Sequence, residues 1–78
     1  MKSLVETMAQ ALVEHPEAVC VTEERNQGVV DLTLSVHTDD MGKVIGKQGR
    51  IANAMRQVLK ACAIKEDVKV RLEIVTEE

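Results

Sequence analysis

Phenylalanine, tyrosine and tryptophan are all absent from this 78-residue chain. Any core must therefore be aliphatic. Stacking of bases on aromatic rings, the common way to hold single-stranded nucleic acid, is excluded with them. Only one proline, Pro16, and four glycines are present, with no low-complexity tract, so no linker divides the chain and a single domain over residues 1–78 is expected. No apolar run approaches the roughly eighteen residues of a membrane-spanning helix, so no membrane insertion is expected. The opening "MKSLVETMAQALVEH" sets acidic residues where a signal peptide would carry an unbroken apolar core, and no leader is expected. Cys20 and Cys62 stand alone, in neither CxxC nor metal-type spacing. They read as reduced thiols of a cytoplasmic protein rather than a disulfide framework.

What is present is unevenly distributed. Apolar residues make up 45% of the chain, enough for a small core but not for a deep enclosed active site. Net charge is −3, which taken alone argues against a nucleic-acid partner. Residues 1–40, however, carry two basic residues against eight acidic ones. Residues 41–65 carry six basic residues (Lys43, Lys47, Arg50, Arg56, Lys60 and Lys65) and no acidic one. One basic segment thus lies within an acidic protein.

Hydrophobic periodicity orders the rest. Leu4, Val5, Met8, Ala11 and Leu12 follow the spacing of one helical face, and Pro16 ends that helix by disfavouring α geometry in His15. "AVCVTEE" reads as a short strand, "RNQG" as a turn, and "VVDLTLSVH" as a second strand with Val30, Leu32, Leu34 and Val36 on one side. The two form an antiparallel hairpin. "TDDMGKVIG" reads as a short helix capped by Thr38 or Asp39. Beyond "KQG", the positions Ile51, Ala54, Met55, Val58, Leu59 and Cys62 repeat with helical spacing over about four turns. "DVKVRLEIV" alternates as a third strand. The order α–β–β–α–α–β, with a helical crossover between strands two and three, predicts a mixed three-stranded sheet packed against three helices in a two-layer α/β (α+β) sandwich.

The stretch "GKVIGKQG", Gly42 to Gly49, opens the basic segment. It is not a P-loop. Its spacing is one residue short of GxxxxGK[ST], and Gln48 replaces the hydroxyl that would hold magnesium. What remains is helix, Gly46-Lys47-Gln48-Gly49, helix. Two glycines bracket two polar residues, so a backbone can approach closely, and the turn opens a long helix whose first amides carry positive potential. A plain helix–turn–helix corner is the other reading of an isolated GxxG. The "VIG" lead-in, the long amphipathic helix, the flanking strands and the confined positive charge weigh against it. Gly42 reads as a packing residue of the short helix.

With those residues in view, "VIGKQGRIANAMRQVLKA" resembles the signature of the K-homology (KH) RNA-binding domain, and the element order resembles its type II arrangement. Size and lack of other domains are similar to the small bacterial single-domain KH proteins, the KhpA group; Ala52 stands where many KH domains place a larger aliphatic residue. The resemblance implies a turn that clamps about four nucleotides of single-stranded RNA backbone, with bases over an aliphatic platform. By position, Gly46, Lys47, Gln48 and Gly49 would form the clamp. Lys43, Arg50 and Asn53 would line the same wall, and Val44, Ile45 and Ile51 the apolar floor. It further implies weak binding of low sequence specificity, a role as RNA chaperone or post-transcriptional regulator linked to envelope growth, division and cell shape, and pairing with itself or with a larger KH protein of the KhpB type.

No catalytic group, metal set or cofactor is expected. His15 and His37 read as surface or capping residues, Asp39 and Asp40 as acids favoured at a helix N-terminus, and Glu23 and Glu24 as solvated strand-end charges. A second functional class, a module that acts mainly by pairing with a protein, rests on "VLKACAI". There Ala61, Ala63 and Ile64 exceed what one core-facing stripe uses, and small domains often need association to bury enough apolar area.

Overall fold

The computed structural model describes residues 1–77. Helix α1 (Lys2–Leu12) leads through a 3-10 turn at Pro16–Ala18 into strand β1 (Cys20–Asn26), which returns as β2 (Val29–Val36). A second 3-10 turn (Thr38–Asp40) opens the short helix α2 (Met41–Ile45). A third (Lys47–Gly49) joins α2 to the long helix α3 (Arg50–Glu66), and β3 (Lys69–Thr76) follows. The order is the one the apolar pattern predicts.

β2 is the central strand, antiparallel to β1 and parallel to β3. The parallel pair follows from the α2–α3 crossover, which carries the chain back before β3 begins. The hairpin turn is tighter than "RNQG". Arg25 and Asn26 still pair with Val30 and Val29, and only Gln27 (φ 50°) and Gly28 (φ 81°) turn the chain, with the two left-handed residues of a type I′ hairpin. Register aligns Val21, Leu34 and Ile74 in one row and Val30 with Val70 in another, all on the face that the helices cover. The other face aligns Thr22, Thr33 and Glu73, and beside them Glu24, Asp31 and Arg71. Arg71 grips Asp31 there with two hydrogen bonds, at 2.7 and 3.1 Å. Glu23 departs from its expected place in water. It lies on the helix-covered side, where Arg25 Nε donates to its carboxylate at 3.0 Å and the N-terminal amine stands 3.9 Å away.

Helix registers are rotated relative to the sequence pattern. In α1 the buried residues are Val5 and Ala9, with Leu4 and Met8 partly covered, while Ala11 and Leu12 are exposed. In α3 the buried stripe is Ala52, Met55, Leu59 and Ala63, while Ala54 and Val58 are exposed. In both helices alanine occupies core positions and a larger apolar residue is left outside. A small side chain lets the helix approach the sheet closely, which residue size alone does not reveal. Leu32, Leu34, Leu59, Val30, Val36 and Val44 are fully enclosed. Each such side chain contributes about 1.5–3 kcal/mol of burial.

One polar residue, Asp40, has no accessible surface. Its two carboxylate oxygens accept the Glu14 N–H at 3.1 Å and the His15 N–H at 2.9 Å, and Lys43 Nζ lies 3.7 Å away. Burial by itself raises the pKa of this carboxyl. The two amide donors, with the charges of His15 and Lys43, outweigh that and hold it below the usual aspartate value. Asp40 therefore ties the segment after α1 to the entrance of α2. Besides its expected place at the N-terminus of a helix, it is a structural clamp.

Candidate nucleic-acid interface

The turn between α2 and α3 is rigidly shaped by its own backbone. Gly46 sits at φ 77°, ψ 173°, a region that essentially only glycine enters. A Cβ there would lie 2.7 Å from Ile51 Cγ1 and 2.9 Å from the Ile51 amide nitrogen. Gln48 (φ 58°, ψ 26°) and Gly49 (φ 75°, ψ 14°) are both left-handed. Gly46 N–H closes α2 on the Gly42 carbonyl at 2.9 Å, and Gly49 N–H returns to the Gly46 carbonyl at 3.2 Å. The left-handed residues turn the chain so that Lys47 and Gln48 stand exposed at its apex.

That apex lies at the N-terminus of a 17-residue helix. The Arg50 N–H is spent on the Lys47 carbonyl, and the helix dipole lends positive potential to the same place. Arg50, in the first turn of α3, is exposed, as is Asn53 one turn later. Among the described residues, Lys47 and Arg50 enter no ion pair, whereas Lys43, the neighbouring cation of the basic segment, is engaged by Glu14 and Asp40. Exposed cations beside a helix N-terminus, on a backbone that admits close approach, make an anion-binding surface.

The remaining expected residues divide. Ile45 and Ile51 are partly buried and flank the turn from either helix. Val44 does not join an apolar floor: it has no accessible surface and holds the turn from beneath as part of the core. Lys43 is turned away from the apex toward acidic partners, 3.4 Å from Glu14 and 3.7 Å from Asp40. Gly42 is not a packing residue, since a Cβ there meets no atom within 4 Å. The expected cap of the turn before α2 is corrected too: neither Thr38 nor Asp39 caps it, and the His37 ring does, Nδ1 accepting the Asp39 N–H at 3.0 Å.

The residues of the second, sheet-side wall were not legible in the sequence. Between α3 and the edge strand β3 runs a groove of ≈ 850 Å³, floored by Leu59, Val68, Val70 and Leu72 and edged by Arg56 and Lys60. Arg56 Nη2 donates to the Leu72 carbonyl at 3.2 Å, so an arginine of the basic helix spans to the exposed rim of the sheet. The alternation of Val68, Val70 and Leu72 signals a strand. That the strand is an edge facing the basic helix follows only from topology. At the far end of the groove Ile64 is 72% exposed and Ala61 is exposed, whereas Ala63 is 3% exposed inside the chain's own core. Ala63 is thus withdrawn from the expected pairing surface because its flank of α3 faces the sheet.

A family model described as KhpA/KhpB, KH domain, matches residues 2–74, which takes in every element of the fold up to Ile74 of β3. The chain belongs to the KhpA/KhpB KH-domain family. Relatives cover nearly its full length. It is 55% identical over 75 residues to the RNA-binding protein KhpA of Halalkalibacterium halodurans, covering 96% of this chain and 99% of that one. It is 56% identical to the RNA-binding protein KhpA of Clostridium perfringens, covering 96% and 100%. The fold is shared with Era. A crystal structure of Era with MgGDPNP and 16S ribosomal RNA nucleotides superposes at a TM-score of 0.54 with 20% identity, over 96% of this chain and 29% of Era. Aquifex aeolicus Era bound to GDP and AlF4− gives a TM-score of 0.57 at 20% identity and the same coverage. The stretch that resembles the KH signature, Gly46 to Gly49, falls in the turn between α2 and α3.

Proposed function

We propose that this KH-domain protein is a binder of single-stranded RNA that seats a stretch of sugar-phosphate backbone against Gly46-Lys47-Gln48-Gly49. Bases would lie along the aliphatic groove between α3 and β3. The observation that carries the reading is the turn itself: a fixed, left-handed backbone presenting exposed Lys47 and Arg50 at the N-terminus of α3. The relatives named RNA-binding protein KhpA support it. Without aromatic platforms, recognition rests on phosphate contacts and on dispersion with Ile45, Ile51 and the groove floor. Binding is then weak, tolerant of sequence and sensitive to salt. Such a binder suits an RNA chaperone or a post-transcriptional regulator in the cytoplasm. No helix among the described residues is long and apolar enough to cross a membrane.

The test is an anisotropy titration of a labelled unstructured RNA with the protein and with a Lys47→Asp, Gln48→Asp double variant at two salt concentrations. The variant is expected to stay folded and lose binding. Equal affinity in a folded variant would remove the turn from the interface.

One observation favours a second, compatible reading, in which the domain pairs with a copy of itself or with a larger KhpB-type KH protein. Ile64 exposes most of a large aliphatic side chain beside Ala61, at the mouth of an apolar groove. Covering Ile64 in a subunit contact removes apolar area that the monomer leaves in water.

A further inference from the structure

Outside the GxxG surface, the fold brings together three residues that lie apart in sequence. His15 belongs to the segment after α1, and His37 and Asp39 to the turn after β2. The two imidazoles stack with ring centroids 4.2 Å apart and planes 25° from parallel. One donor atom from each of His15, His37 and Asp39 lies within 4.8 Å of the others. His37 Nδ1 is 3.7 Å from Asp39 Oδ2, and His15 Nδ1 is 3.6 Å from Glu17 Oε1.

We propose that His15, His37 and Asp39 form a binding site for a divalent transition metal of the zinc type. Imidazole nitrogens with one carboxylate are a borderline donor set that suits Zn²⁺, Ni²⁺ or Co²⁺ and not the oxygen-seeking Mg²⁺ or Ca²⁺. A tetrahedral ion with bonds near 2.0–2.1 Å holds its donors about 3.3–3.4 Å apart. The present separations therefore need only side-chain rotation to close. Stacked rings aim their lone pairs side by side rather than at one point, so binding must turn the imidazoles until both ring planes contain the ion.

The backbone is already fixed for this. Asp40 accepts the His15 N–H and so locks the segment carrying one imidazole against the turn carrying the other. The Nδ1 lone pair of His37 now accepts the Asp39 N–H, an exposed hydrogen bond that water replaces when a metal takes the lone pair. Both imidazoles are partly open, with side-chain exposures of 37% and 34%, so an ion reaches them from solvent. Glu17 stands beside His15 and adds negative charge at the site, which draws cations. A bound ion would join the end of α1 to the entrance of α2, in parallel with the Asp40 clamp, and stabilise the folded state by mass action.

The experiment uses untagged protein in a Cys20→Ser, Cys62→Ser background, because free thiols also bind zinc. Zn²⁺ is titrated in competition with a chromophoric chelator, and thermal unfolding is followed with and without Zn²⁺. One ion per chain and a raised melting temperature are expected. His15→Gln and His37→Gln should each weaken binding by about tenfold or more, and Asp39→Asn should weaken it less. Paramagnetic Co²⁺ added to the parent protein should broaden amide signals around residues 14–17 and 37–41 first, a readout independent of any variant's folding. Absence of saturable one-to-one binding, equal affinity in the His15→Gln, His37→Gln double variant, or broadening centred elsewhere would overturn the site.

Discussion

Replacing Gly46 by alanine separates a shaped turn from a merely flexible one. At φ 77°, ψ 173° an alanine is strained by about 1–3 kcal/mol whatever the space around it. Space is lacking as well: the new Cβ falls 2.7 Å from Ile51 Cγ1 and 2.9 Å from the Ile51 backbone nitrogen. A side-chain tip can swing aside, but a backbone nitrogen in the first turn of α3 moves only with the helix. Overpacking of this kind adds a further 1–3 kcal/mol or so. The sum, roughly 2–6 kcal/mol, is set against a total stability on the order of 4–12 kcal/mol for a domain of this length.

Gly49 and Gly42 supply the controls. Gly49→Ala keeps the left-handed strain, about 1–2 kcal/mol, but its Cβ meets nothing nearer than Asn53 Nδ2 at 3.9 Å. Gly42→Ala meets nothing within 4 Å and lies in α2. There alanine is favoured over glycine by roughly 0.5–1 kcal/mol. At about 4–8 °C per kcal/mol for a small domain, thermal unfolding followed by circular dichroism should rank the proteins clearly. Gly46→Ala should melt at least about 8 °C below the parent, Gly49→Ala between the two, and Gly42→Ala slightly above it. If Gly46→Ala melted with Gly49→Ala, the contact with Ile51 would carry no weight, and the picture of a sterically fixed turn would be wrong.

Other consequences follow from the same geometry. With three or four phosphates engaged, the logarithm of RNA affinity should fall against the logarithm of salt with a slope of about −2 to −3, measured by anisotropy; a flat response refutes the phosphate contacts. Asp40→Asn should destabilise the protein at pH 7 in chelator-containing buffer. Because the folded carboxyl titrates below its unfolded value, its contribution is present above about pH 4 and is lost as pH falls through the lower folded value. Parent and variant should therefore converge in urea unfolding as pH falls through the folded value, and a gap that does not narrow on acidification would contradict the charged clamp. Ile64→Lys should stay folded and shift mass measured by light scattering from pairs to monomers; a parent that is monomeric at all concentrations removes the pairing reading.

How far the sequence reveals this molecule depends on whether a feature is local. Strand β2 declares itself because Val30, Leu32, Leu34 and Val36 alternate and all four are buried. The parallel β3 follows from chain direction alone, and the GxxG spacing marks the turn because only a few residues are needed to specify it. The helix faces mislead. Ala9, Ala52 and Ala63 are buried while Leu12 and Val58 are exposed, since the position of a stripe depends on how closely a helix can approach the sheet. Least legible are features assembled across the chain. Asp40 and Asp39 look alike in sequence, yet one is sealed against the amides of Glu14 and His15 and the other stands in solvent. The sealed carboxylate holds the His15 segment against the His37 turn and, with Glu14, engages Lys43, so a residue expected only to serve a helix terminus helps decide which cations remain for a phosphate. Charge counted along a segment is therefore an upper bound on charge offered to a ligand, and here the structure reduces the apex to Lys47, Arg50 and the helix terminus beneath them.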